Sequence, residues 1–143
     1  MKSIKKLLFV MAALAAVFGF VACSNDDDDD PKTVAVYTAD DSGSGYTDIC
    51  TLTFYDDNSF SMYNAFDYGP GAKWSGIIFT GTYTGKPAED GDITITVKKV
   101  FDRESNKLVD APTELQKPLP VTITGGKGKF PVDLEQNTLE FTR

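Results

Sequence analysis

Ile93-Thr94-Ile95-Thr96-Val97-Lys98 is the stretch that decides the fold. Branched aliphatic residues alternate there with threonines and a lysine, and successive side chains of a strand point to opposite faces. One face is dry and the other wet, a pattern that favours antiparallel pairing. Val121 and Ile123 repeat it against Thr122 and Thr124, and Leu139 and Phe141 repeat it against Thr138, Glu140 and Thr142. Beyond residue 22 no long 3.6-residue pattern competes with this alternation.

Working outward, the alternation predicts strands over Thr33–Thr38, Asp48–Tyr55, Ser59–Ala65, Gly76–Thr84, Asp92–Phe101, Leu119–Thr124, Lys127–Val132 and Thr138–Thr142. Asp56-Asp57-Asn58 joins two of them with residues that tolerate positive φ or bond their own backbone. Asp90-Gly91 and Gly125-Gly126 mark two further hairpins. The expected fold is all-β: an antiparallel up-and-down meander that closes into a small barrel of about eight strands, removing exposed edges. Two segments resist it. Ala65 to Ser75 gathers Phe66, Tyr68 and Trp74 around Gly69-Pro70-Gly71, and Asp102 to Pro118 reads as a long polar connection. The latter has room for one helical turn at Pro112 to Gln116, capped near Asp110.

The N-terminal region has a different character. Lys2, Lys5 and Lys6 precede a run from Leu7 to Ala22 without a charge, about 16 residues and short of the roughly 20 a membrane-crossing helix needs. Charged start, apolar middle and small residue at Ala22 are the parts of an export signal. Cys23 follows at once, then Ser24-Asn25 and five aspartates, Asp26 to Asp30.

Two resemblances arise from these residues. Phe20-Val21-Ala22-Cys23 resembles the lipobox of bacterial lipoproteins, and Ser24 to Asp30 resembles the acidic export tract of Gram-negative surface lipoproteins. The likeness implies a signal peptide over 1–22, an acidic tether over 23–31 and lipid on Cys23. It places the protein on the outer membrane, exposed at the cell surface or, alternatively, facing the periplasm. Each buried CH₂ contributes about 0.8 kcal/mol, so the multiple acyl chains of such a cysteine make a stable anchor. The second resemblance concerns the domain expected over 32–143. Leu52-Thr53-Phe54-Tyr55-Asp56-Asp57-Asn58-Ser59-Phe60, Gly81-Thr82-Tyr83-Thr84 and Gly91-Asp92-Ile93-Thr94-Ile95-Thr96 resemble the lipocalin-like (calycin-type) small barrels of bacterial lipoproteins.

Charge and residue inventory exclude much chemistry. The formal charge is −7, and loss of the three leader lysines leaves −10. That sign opposes nucleic-acid binding, which needs basic patches against phosphates. Histidine is absent, so histidine-based nucleophilic triads and the usual zinc sites have no basis. No Gly-rich loop leads from a strand into a helix, so no nucleotide cofactor is expected. The aspartate run lacks the alternating ligands and glycine of a calcium loop and reads as a solvated spacer, so no metal is expected. With Cys23 acylated, Cys50 has no disulfide partner and lies on an apolar face with Leu52 and Phe54, the place of a structural thiol.

The remaining candidates are Phe66, Tyr68 and Trp74. Aromatic rings on a loop stack on sugar faces or line a barrel mouth, with Asp67 as an acceptor; the alternative is that Trp74 plugs one end of the barrel. The leading expectation is a non-catalytic, surface-anchored lipoprotein that binds a small apolar ligand or glycan fragment at the barrel mouth. A solid barrel that serves as a protein-interaction, structural or inhibitor module of an envelope complex, docking through Asp102 to Pro118, is the alternative. A carboxylate-based hydrolase, drawing on Asp40-Asp41, Asp56-Asp57 or Glu89-Asp90, is a third.

Overall fold

The computed structural model describes residues 30–143, of which Pro31–Arg143 form one compact unit. The leader over 1–22, the lipid site Cys23 and the acidic tract up to Asp29 lie outside the described residues.

Nine strands are present: β1 (Thr33–Asp40), β2 (Thr47–Tyr55), β3 (Ser59–Asp67), β4 (Lys73–Thr84), β5 (Gly91–Asp102), β6 (Lys107–Asp110), β7 (Leu119–Ile123), β8 (Lys127–Pro131) and β9 (Thr138–Thr142). All pair antiparallel in one sheet, ordered β6-β5-β4-β3-β2-β1-β9-β8, with β7 beside the first half of β5. The sheet curls into a barrel. Its last gap is crossed at the tight turn between β7 and β8, where Thr124 and Lys127 exchange backbone hydrogen bonds of 2.9 and 3.1 Å. The expected all-β meander is therefore the observed architecture.

Three register shifts interrupt the ladders: one on β1, where Thr33 faces Tyr55 and Ala35 faces Phe54, and two on β4 and β5. Val97 and Val100 are both buried while Lys98 and Lys99 between them are exposed, which a regular strand cannot achieve. A bulge resolves this: Thr80 pairs with Lys99 and Gly81 with Val97, leaving Lys98 unpaired. A second bulge on β4 leaves Ile78 unpaired, because Met62 faces Phe79 and Tyr63 faces Ile77. Both bulges sit on β4 and β5 and bend the sheet toward closure. Gly81 sits beside the first of them. A Cβ there would lie 2.0 Å from the Thr96 carbonyl oxygen and 2.8 Å from the Phe60 ring, so only glycine fits.

The structure corrects two local expectations. The connection after Asp102 is not a bare loop: the chain turns at Ser105-Asn106 and returns as β6, paired with the second half of β5. Asp110 consequently lies in that strand, bonded to Lys99 at 3.1 Å, and does not cap the following turn. The turn itself is present, since Leu115 and Gln116 both donate to the Pro112 carbonyl. Secondly, the β4–β5 hairpin closes through the six-residue loop 85–90 rather than a two-residue Asp90-Gly91 turn. Asp90 has another task, described below.

In an up-and-down barrel, alternate connections fall at the same end. One end gathers the chain entry at Lys32, the turns 56–58, 85–90 and 124–126, and Arg143. It is sealed. Tyr37, Phe54, Phe60, Phe130 and Phe141 are 2 % exposed or less and pack edge to face or tilted, with ring centroids 5.6–6.1 Å apart. Tyr83 stands perpendicular to Phe54 at 5.0 Å. A clasp covers this end. Asp90 accepts from the backbone N–H groups of Gly125 (2.6 Å) and Gly126 (2.9 Å), which holds its carboxyl below the usual range. Arg143 reaches Asp90 at 3.7 Å, and it donates to the Tyr37 hydroxyl, which itself donates to the Pro87 carbonyl at 2.6 Å. The opposite end carries the turns 41–46, 68–72, 103–106 and 132–137.

Candidate functional site

The opposite end is open. A cavity of about 800 Å³ lies among its turns, bounded by the ends of β2, β3, β4, β5 and β9. Trp74, Ile78, Phe79, Phe101, Val132, Leu134 and Leu139 give it an apolar lining, with Cys50 and Asn64 also on the wall. Its volume is in the range of small-molecule sites.

The inward face of the sheet explains why these side chains meet. Met62, Asn64 and Phe66 follow one another on the inner face of β3; across the pairing, Asn64 faces Gly76 and Phe66 faces Trp74. Toward the sealed end this row is deeply buried; toward the mouth Phe66 and Trp74 are only half-buried. Phe66 contacts Trp74 at 6.1 Å between centroids and Tyr68 at 5.2 Å. Two more rings extend the row. Tyr46 stacks on Tyr68 at 5.3 Å and 28°, and Phe101 lies 4.9 Å from Trp74. Five rings drawn from four separate segments thus form one continuous ladder along the mouth. All three aromatic residues expected from sequence belong to it, although of these only Trp74 lines the cavity itself.

Tyr46 and Phe101 were missed by sequence reasoning. For Phe101 the signal was present, because it ends the predicted strand Asp92–Phe101, which runs toward the same side of a meander as the 68–72 turn; Tyr46 lies two residues before the predicted strand Asp48–Tyr55 and carried no such signal.

Asp48 anchors the rim. One of its oxygens accepts from the Asn64 amide at 2.7 Å and the other from the Tyr68 hydroxyl. The bond to a carboxylate favours the protonated phenol, and the Tyr68 pKa is pushed up to about 12. The Asn64 amide also lies 3.2 Å from the Cys50 sulfur. Burial dominates there: it raises the Cys50 pKa to about 11, outweighing the Asn64 contact, so the thiol stays protonated near neutrality and is a poor nucleophile.

The rim is acidic. Asp41, Asp48, Asp102, Asp133 and Glu135 line the cavity, against one cation, Arg103. Asp102 and Asp133 accept hydrogen bonds within their own turns, from Ser105 and from Glu135 and Asn137 respectively. The Ser105 bonds hold the Asp102 carboxyl below its ordinary range. Among the described residues, no group of three or more histidine, cysteine, aspartate or glutamate side chains is placed to hold a metal ion.

A second, smaller cavity of about 360 Å³ lies beside the Pro112–Gln116 turn, between Ile95, Val97, Leu115, Leu119 and Pro131. It has no aromatic wall.

Fold and site together define a class: a small antiparallel barrel, plugged by aromatic rings at one end and hollow at the other. Comparison with known proteins finds no matching family model, no matching curated protein and no matching solved structure.

Proposed function

We propose that this chain is a non-catalytic lipoprotein, anchored through lipid on Cys23, that binds a small apolar ligand or a glycan fragment in the mouth of a lipocalin-like barrel. The observation that carries the reading is the cavity of about 800 Å³ beside half-buried Trp74, at the end opposite the buried aromatic cluster. A ring plugging the barrel would instead be enclosed on all sides.

The placement of the chain entry supports the reading. Asp56 and Lys32 exchange hydrogen bonds at the sealed end, so the domain starts there and the mouth opens at the far end. The link from Cys23 therefore joins the barrel at the sealed end, not at the cavity. Asp48, Asp102 and Asp133 commit oxygens to hydrogen bonds within the barrel, which fits positioning of the rim better than proton transfer.

Trp74 is the only tryptophan in the chain, so its fluorescence reports on the mouth without labels. Saturable changes on titration with small apolar compounds or oligosaccharides, lost on competition, are the expected result. No response to either class, together with no heat of binding, would overturn the reading; turnover of a chromogenic glycoside would replace it with the hydrolase. For the anchor, Cys23→Ala is expected to abolish acyl incorporation and release the protein from the membrane fraction. Protease treatment of intact cells distinguishes surface exposure from the periplasmic alternative.

A docking role keeps one specific support. β6 pairs only with β5, and its four residues, Leu108 and Val109 included, are all exposed. Such an edge accepts a partner strand, although its shortness and charged ends blunt it. Leu108→Lys/Val109→Lys, on exposed residues outside the cavity lining, is expected to leave ligand binding at the mouth intact if this edge serves only a protein partner.

A further inference from the structure

The mouth combines two features that recognise the same kind of ligand. Its floor is aromatic, with Trp74 and Phe101 in contact at 4.9 Å and both lining the cavity. Its rim carries Asp41, Asp48, Asp102, Asp133 and Glu135 against Arg103, a formal excess of four negative charges. None of those five carboxylates has a salt-bridge partner among the described residues. The salt bridges observed there use Asp67, Glu89, Asp90, Asp110 and Glu140, none of which lines the cavity. The uncompensated charge therefore sits over the cavity that Trp74 and Phe101 line.

Low-dielectric walls focus such a field into the cleft and concentrate ions of opposite sign. Aromatic faces attract cations as well, through the negative face of the ring quadrupole. An anionic amphiphile such as a fatty-acid carboxylate would meet repulsion from the rim, and a neutral one would gain only from the floor. We infer that the ligand of the mouth is an organic cation, an amine or quaternary ammonium group carried on an apolar body. The apolar part lies against Trp74 and Phe101 while the charged head sits among the carboxylates. This rests on the mouth being the binding site, and it narrows the ligand class within that reading.

The test is a matched series with one alkyl body and three charges: n-octylammonium, n-octanol and n-octanoate, each titrated against the whole domain with Trp74 fluorescence and calorimetry as readouts. Octylammonium is expected to bind more tightly than octanoate by about tenfold or more, with octanol between them. Added salt is expected to weaken octylammonium binding selectively. Asp41 and Glu135 make no side-chain hydrogen bond or ion pair among the described residues, so the double substitution Asp41→Asn/Glu135→Gln leaves the turns' own bonds in place; it is expected to narrow the ratio of octylammonium to octanol affinity. Octanol or octanoate binding as tightly as octylammonium would overturn the inference and leave the mouth as the binding site. So would an oligosaccharide that binds where octylammonium does not. Failure of all the alkyl probes and of oligosaccharides would remove the inference together with the reading beneath it.

Discussion

The two ends of this barrel are built from the same kind of side chain and put it to opposite uses. At the sealed end, rings from β1, β2, β3, β8 and β9 meet in perpendicular or tilted pairs with almost no exposure. At the mouth, five rings run in file from Tyr46 to Phe101, and Tyr68 is 49 % exposed. The difference lies in what happens beyond the rings. Around Phe60 the missing side chain of Gly81 lets β4 and β5 close in, and the Asp90–Arg143 clasp covers the end. Around Trp74 the strands end in acidic turns that leave a cavity. Aromatic content alone therefore does not separate a core from a site.

The comparison can be broken most severely at Phe54, whose ring touches Tyr37, Phe60, Tyr83 and Phe130. Phe54→Ala is expected to cost about 3–5 kcal/mol in denaturant unfolding, because nothing nearby can collapse into the space. Next comes Gly81→Ala, which forces a Cβ against the Thr96 carbonyl and is expected to cost about 1–3 kcal/mol. Trp74→Ala, at the half-buried end, is expected to cost only about 1 kcal/mol while abolishing binding measured by calorimetry. If Trp74→Ala destabilised the fold as much as Phe54→Ala, both ends would be core and the contrast would fail.

Two smaller effects sharpen the electrostatics. The Asp90 carboxyl is held low by the Gly126 and Gly125 amides, so its contribution is present above the ordinary carboxylate pKa and is lost as pH falls through the lowered value. Asp90→Asn is expected to lower Tm modestly at neutral pH, the gap closing in acid, as thermal melts across pH would show. The smallest change is at the rim. Tyr68, raised to about 12, stabilises the fold below the ordinary tyrosine pKa and loses that contribution as pH rises through 12. In Asp48→Asn one tyrosine is expected to titrate at lower pH than in the parent, followed by tyrosinate absorbance. An unchanged alkaline titration would mean that the Tyr68–Asp48 bond does not persist in solution.

Much of the fold could be read along the chain. Eight of the nine strands follow from alternation, because a half-buried strand must repeat every second residue. β6 escaped because its four residues are all exposed and carry no alternation; only the turn at Ser105-Asn106 announced it. The bulge at Lys98 was visible as a broken period at Val97-Lys98-Lys99-Val100, but its effect on curvature was not. Phe66, Tyr68 and Trp74 were found because they cluster in sequence. Tyr46 and Phe101 were not, since their neighbours arrive from other strands.

By itself, the sequence determined which residues face inward, because alternation is a local property of each strand. It also determined the sign of the charge and, through the lack of histidine, what chemistry could not occur. Which end of the barrel is filled was decided only by the tertiary structure. Filling depends on how closely strands distant in sequence approach, and that distance is set by Gly81, two bulges and the Asp90 clasp acting together.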